Sequence, residues 1–518
     1  MWLCPSSFAQ PHALMLARHA RSARCAATVA RPTLIYARFQ TNSPRREVSS
    51  GESEHLFAKP ALFVLDVAKR TLKFTFGGLV IVGVVALGTH EAYHQWIERV
   101  ELAPRADNDE VRKWEWDAET PRWSGDAGKG GTDPGLGMRG RHLVRAAWAS
   151  QTWAPAVGIS PVAQVSSSSG LTDLSTIVDA RLYYGEKYLR EALDIAEEKE
   201  SKQKLHPGTL PALLTRHAAI LEKMGQDSWT KAKSQYGRVW ASRPSASIAL
   251  KIGDLSNRLG QTDDALAWWA RAIQLIQNDR TVLVDARKPA VPAVIPPSAS
   301  AQRVLSSVFV SLSAFYATTR NLEEAAEVEN SALNALRSMV PPELSSVSPS
   351  KSLHTSTLLQ RSSVLSVHQA EVLYARGQSP KESIKWLSSA AESSESVVRA
   401  LTGSNAPRVD DVSSVYKQSN ILQAPATELL RDARRTASEA WNLMGILKEQ
   451  ISSRDQQSAL ECYERALYWA GKLDDAGERI PDVVLSREWK VIMDNYTRLK
   501  RATQPKIVHR NKIDLFLQ

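Results

Sequence analysis

Cysteine is nearly missing from this chain, with Cys4, Cys25 and Cys462 alone among 518 residues. Residues 1–46 also contain no Asp, no Glu and no Lys. Once the N-terminal segment is set aside as below, Cys462 remains alone, which excludes an intramolecular disulfide. It also excludes a structural zinc site built on thiolates, which needs a tight cluster of Cys or His. With 25 Gly and 25 Pro, the chain has too little of either for a collagen-like or low-complexity protein, and a 43% hydrophobic content excludes wholesale disorder. Its length exceeds one ordinary domain and falls short of about four.

The net charge is +10, from 65 Lys and Arg against 55 Asp and Glu. Seven of those charges are arginines within residues 1–46, namely Arg18, Arg21, Arg24, Arg31, Arg38, Arg45 and Arg46. An acid-free, Arg-rich N-terminus with interspersed apolar residues has the composition of a mitochondrial transit peptide, and Arg38 fits removal after Phe39. A basic arm for nucleic acid is the alternative, but such arms favour Lys and lack the apolar interleaving. The +3 carried beyond Lys73 gives no argument for nucleic acid as a partner.

One long uncharged run is present. FTFGGLVIVGVVALGT (74–89) is bracketed by Lys69, Arg70 and Lys73 before it and by His90, Glu91 and Glu98 after it. It predicts one transmembrane helix over 71–93, since sixteen residues are too many for a buried strand and the run contains no turn signal. Basic residues concentrated before the run place the N-terminal side in the matrix and the rest in the intermembrane space. No well-placed small-xxx-small pair marks a helix-dimer face.

Six of the 15 tryptophans, Trp96, Trp114, Trp116, Trp123, Trp148 and Trp153, follow within 58 residues. Trp96 fits an interfacial anchor, and the others predict a module of short helices and Gly loops packed on the helical domain. A partner-binding surface is the alternative. Two literal motifs fall near this region. His90-Glu91-Ala92-Tyr93-His94 matches H-E-x-x-H, in which two histidines four apart on a helix bind zinc and the glutamate acts as general base. His90 and His94 are therefore the candidate metal ligands; the plainer reading is a pair of interfacial histidines beside an acid. Gly135-x-Gly137-x-x-Gly140 matches the dinucleotide fingerprint but follows Asp133-Pro134 rather than a strand, so its glycines read as loop residues.

Beyond a Ser-rich linker (161–172), strand signals vanish and helical periodicity takes over. In ALKIGDLSNRLGQTDDALAWWARAIQL, Gly253, Gly260, Ala265, Trp269 and Ala272 fall at the offsets of a tetratricopeptide repeat. Small residues at 253 and 265 let two helices approach, Gly260 turns the chain, Trp269 fills the space beside them and Ala272 admits the next unit. Trp441, Gly445, Ala459, Tyr463 and Ala466 repeat the pattern with two extra turn residues. Tyr316, Ala325 and Ala332, then Tyr374, Ser383 and Ala390, and also Ala218, Gly225, Ala232 and Tyr236, keep a degenerate frame. Residues 179–200 predict a leading helix pair, and the Pro- and Ser-rich stretches 286–301, 340–352 and 401–414 predict exposed excursions.

Presequence (1–46), matrix-side segment (47–70), membrane helix (71–93), Trp/Gly-rich module (94–160), linker (161–172), all-α tetratricopeptide-like solenoid (173–500) and tail (501–518) together form one architecture. It resembles the TPR-containing adaptors of the mitochondrial inner-membrane i-AAA protease. The resemblance implies a non-enzymatic, single-pass inner-membrane protein without a cofactor, whose repeats bind unfolded or membrane-protein clients in the intermembrane space and present them to the protease. Peptide-binding positions do not carry over to numbered residues. A respiratory-complex assembly scaffold and a membrane-anchored zinc peptidase using His90, Glu91 and His94 are the alternatives.

Overall fold

The computed structural model describes residues 58–503 apart from 104–108, 120–121, 124–129, 153–161, 165–176, 278–288, 290, 293, 340–347, 404–410, 420, 452–455, 474–478 and 483–484. The presequence, residues 47–57, Trp153, most of the linker and the tail from 504 onward lie outside the described residues. The chain divides into two units at Leu102.

In the first unit, helix α1 (Ala58–Trp96) runs through the uncharged segment and continues as a π turn, Ile97–Glu101. It starts well before the 71–93 span expected from hydropathy, because Asp66 and Arg70 form an i,i+4 ion pair of 2.8 Å that lets the charged stretch stay helical. Phe74, Phe76, Leu79, Ile81 and Val84 are exposed, and 63–101 is a helical segment long and apolar enough to cross a membrane. Thr71 and Thr89 donate their hydroxyls to the Val67 and Val85 carbonyls one turn back, so neither needs water.

In the second unit, α2 (Asp109–Lys113), α3 (Trp116–Glu119), a 3₁₀ turn (Pro134–Leu136) and α4 (Gly137–Thr152) precede α5 (Ala180–Ser201). Five helix pairs follow: α6 (Thr209–Met224) with α7 (Gln226–Ser242), α8 (Ala246–Arg258) with α9 (Thr262–Gln277), α10 (Ala299–Thr318) with α11 (Leu322–Met339), α12 (Pro349–Ala375) with α13 (Pro380–Thr402), and α15 (Gln423–Ile451) with α16 (Gln456–Ala470). The single turn α14 (Ser414–Lys417) and α17 (Ser486–Thr503) complete the helices of the described residues, which are almost entirely α. Consecutive helices pack on one another, and α8, α10, α12 and α15 also touch in turn. Those four therefore form one row, with α9, α11, α13 and α16 as the other.

The turn inside three pairs is the same. Gln261, Asn321 and Gln378 donate their N–H five residues back, to Ser256, Tyr316 and Leu373, at 2.9, 2.9 and 3.0 Å. The residue before each has positive φ: Gly260 (75°), Arg320 (64°) and Gly377 (74°). This is the Schellman arrangement, in which a left-handed residue closes the helix and satisfies its last carbonyls.

Three sequence expectations change. The leading helix pair is one helix: α5 runs unbroken through Gly185, which packs against Ser150 and Gln151 of α4 and Ile220 of α6 rather than turning the chain. Its pairing partner is α4, from the Trp-rich module. Short strands do occur, β1 (Val162–Gln164) with β2 (Ile177–Asp179) and β3 (Gly471–Leu473) with β4 (Arg479–Pro481), both antiparallel. Three residues are too few to register as an alternating pattern. Finally, the Pro- and Ser-rich stretches are partly folded back: Pro289, Pro296 and Val412 are buried, Ser413 donates its N–H to the Leu401 carbonyl, and α12 begins at Pro349.

The described parts of 109–136 lie as a strap across helix N-termini. Glu110 accepts from Ser348, the N-cap of α12, at 2.7 Å. Glu115, itself held at a φ of 55°, accepts from Ser298, the N-cap of α10, and from the Ser300 N–H at 2.8 Å. Asp133 accepts from Thr209 and from the His206 N–H at the start of α6. Each carboxylate thus meets the positive end of a helix dipole and its unsatisfied N–H groups. Trp116 and Trp123 are buried. Trp116 donates to the Ser350 carbonyl at 3.0 Å, and Arg216 stacks 4.5 Å from the Trp123 ring.

Candidate functional site

His90 and His94 lie one turn apart on α1 with ring centroids 4.5 Å apart, the relation that i,i+4 spacing imposes. Glu91 accepts from Gln95 at 2.6 Å, one turn further along the same helix. The glycine motif at 135–140 is filled by protein. A methyl group at Gly135 would sit 2.2 Å from the Lys204 carbonyl oxygen, and the Gly135 N–H donates to Asp133 at 2.8 Å. Close backbone approach, rather than a phosphate, accounts for that glycine.

Two glycines lie against aromatic rings across the paired helices. A methyl group at Gly253 would lie 2.7 Å from the Trp269 ring, and one at Gly445 would lie 2.6 Å from the Tyr463 ring. Ala265, Trp269, Ala272, Ala459, Tyr463 and Ala466 are all fully buried, while Gly260 makes the turn and Trp441 donates to Glu395 at 2.8 Å. Both slot aromatics keep a polar tip satisfied: Trp269 Nε1 donates to Asp254 at 3.1 Å, and the Tyr463 hydroxyl donates to Glu449.

Counting from the shared turn places a different pair in the same slot of the α10–α11 unit. Ser313 stands seven residues before Arg320 as Gly253 does before Gly260, and Glu329 stands nine after it as Trp269 does. Both are fully buried. Ser313 Oγ lies 2.7 Å from Glu329 Oε1 and 2.9 Å from His368 Nδ1 of α12. Burial pushes the Glu329 carboxyl up to about 8 and the His368 imidazole down to about 4. At neutral pH the acid holds its proton and the imidazole is neutral, so each contact contains one hydrogen. This Ser, His and Glu do not form a nucleophilic triad. The serine, rather than the histidine, is in the middle, and it is closed to solvent. Cys462 is equally inert, since it is buried and burial raises its thiol.

His368 belongs to a polar stripe running along the first row of helices. Ser311 of α10 donates to Asp254 of α8 at 2.8 Å. His368 and Glu371 of α12 follow, then Asp432, Arg435 and Glu439 of α15. Arg435 pairs with Glu488 of α17 at 3.2 Å, and Asn495 of α17 donates to Asn442 of α15 at 3.1 Å. Asp254, Glu371, Asp432 and Glu439 are half-buried. Even so, desolvation holds all four carboxyls above their usual range, Glu371 at about 8 with the charge of Glu439 adding to it. The stripe was not legible in the sequence, because α15 carries Glu428, Arg431 and Arg434 as well, and the i, i+3, i+7 spacing of Asp432, Arg435 and Glu439 does not stand out among them.

No protein-family model matches the chain, and no curated protein does either.

Proposed function

We propose that this is a non-enzymatic, membrane-anchored tetratricopeptide-like protein that holds polypeptide along the polar stripe of α8, α10, α12 and α15. The reading rests on that half-buried polar stripe, which passes from α8 to α10 through Asp254 and Ser311 and from α10 to α12 through Ser313 and His368, along a row of four helices that touch in turn. Repeat arrays of this kind suit extended chains rather than small molecules. The repeated Schellman turn and the Gly–aromatic slots support the tetratricopeptide assignment, and the exposed apolar surface of α1 supports an anchor. With the Arg-rich N-terminus read as a mitochondrial address, the array faces the intermembrane space and serves as an adaptor for an AAA protease of the inner membrane.

Photo-crosslinking from an aryl-azide amino acid at Ser311 tests the binding face, the expected products being adducts to polypeptides. Affinity capture from digitonin-solubilised mitochondria tests the partner. Recovery of an AAA protease is expected, and recovery of respiratory subunits without it would reject the adaptor role in favour of an assembly scaffold.

A further inference from the structure

Residues 110–119 of the strap are a contiguous stretch seated on α10 and α12 as a bound peptide would be. Neither of its helices is stable by itself: α2 and α3 have five and four residues, too few to stay helical alone in water. The turn between them holds Glu115 at a φ of 55°, a left-handed backbone that costs any residue with a side chain. The surface beneath the stretch therefore imposes its shape, as in a segment that folds on binding.

That surface reads the stretch by a fixed pattern. The buried Arg303 guanidinium stacks 3.8 Å from the Trp116 ring centre and donates from Nε to Glu119 at 2.9 Å. Trp116 and Glu119 are three apart on one helical turn, so a single guanidinium meets both. Its Nη2 donates to the Trp114 and Glu115 carbonyls at 3.0 and 3.3 Å, contacts that the main chain of any sequence supplies. Its Nη1 donates to His354 Nδ1, and the His354 ring lies 5.0 Å from that of Trp114, centre to centre. Glu115 accepts from the Ser300 N–H, and the Trp116 indole donates to the Ser350 carbonyl. Within 110–119 only Val111 and Trp116 are buried, in one apolar cluster with Leu353 and Val397. Two apolar anchors surrounded by charge-assisted contacts have the make-up of an interface rather than of a core.

We infer that this cleft on α10 and α12 is a binding site for acidic, aromatic polypeptide, a Trp followed three residues later by Glu, and that 110–119 is its tethered occupant, displaced by a partner presenting the same pattern. The inference goes beyond the polypeptide-holding reading. It uses Arg303 and His354 rather than the stripe, and either can fail without the other. A tethered occupant competes at an effective concentration in the millimolar range, so it excludes weak ligands and yields to a matching one.

Hydrogen exchange on the isotope-labelled full chain in detergent tests it, with unlabelled synthetic peptide of sequence 109–119 added to several millimolar. The Trp114 and Glu115 N–H groups bond within the stretch, and they lose protection when it leaves. Faster exchange across 110–119 is expected with this peptide and not with one of the same residues in scrambled order. By fluorescence anisotropy, the Glu119→Gln chain, whose own occupant is weakened, is expected to bind labelled peptide at least about tenfold more tightly than the unaltered chain, the scale of one hydrogen bond to a charged group. Unchanged strap exchange in the unaltered chain, or equal effects of the scrambled peptide, would overturn the inference, and neither outcome depends on a variant folding. Dimers of the chain that the peptide does not dissociate, with strap exchange unchanged, would assign the cleft to a second copy's strap and overturn the partner reading.

Discussion

Glycine and aromatic are matched at Gly253–Trp269 and Gly445–Tyr463, and neither partner of a pair tolerates change alone. Gly253→Ala is expected to cost about 1–3 kcal/mol by forcing Trp269 out of its position. Pairing it with Trp269→Leu should recover part of that loss in urea denaturation, whereas simple additivity would show that the two side chains do not share the slot. Arg320 pays for a left-handed backbone that Gly260 and Gly377 adopt freely. Arg320→Gly should therefore stabilise the chain by about 1 kcal/mol, read as a shift in the denaturation midpoint. These residues were legible in the sequence because packing small against large leaves a fixed spacing. Ser313 and Glu329 were not, since they break the pattern that announces the others. They become visible only when residues are counted from a turn whose central residue is an arginine.

Helix pairs were legible as elements, and the five fall over the one regular frame and the four irregular ones; what joins them to the segment before was not. Arg303 of α10 shows why. Buried almost completely, it pairs with Glu119 at 2.9 Å, donates to the Trp114 carbonyl at 3.0 Å and stacks 3.8 Å from the Trp116 ring. It also donates to His354 Nδ1 of α12 at 3.0 Å, so the opposite ring nitrogen carries the proton and donates to Gln302 at 3.1 Å. The contacts of Arg303 with Glu119 and Trp114 join residues more than 180 positions apart, and no periodicity encodes them. Arg303→Met should destabilise the second unit by roughly 3 kcal/mol, because Glu119 is left without its cation. The strap should then become the first segment cut by protease. Undiminished protection of 109–119 would show that α10 does not hold it.

Across the whole chain, the buried titratable groups set a pH optimum. Glu329 and Glu371 titrate near 8 in the fold against an ordinary 4.5, so between those values the folded chain holds protons that the unfolded chain releases. Stability therefore falls as pH rises from about 4.5 to about 8. His354 and His368 titrate near 4 against 6.5, so the unfolded chain binds the extra protons and stability falls as pH drops from 6.5 to 4. The two effects oppose one another between about 4.5 and 6.5. Above 6.5 only the carboxyl effect operates, so thermal melts should show a lower Tm at pH 8 than at pH 6.5, and Glu329→Gln with Glu371→Gln should flatten that slope. The strap has a consequence on the same scale. A stack of helix pairs in which each touches only its neighbours melts piecemeal, from its ends inward. Glu110 and Ser348 are 238 residues apart, and with Glu115 and Asp133 they make one N-terminal segment depend on helices from both halves of the array. That segment emerges before the helices it docks on and must wait for α12 before Glu110 can find Ser348. Local fraying is thereby turned into one cooperative transition, at the expense of slow long-range closure.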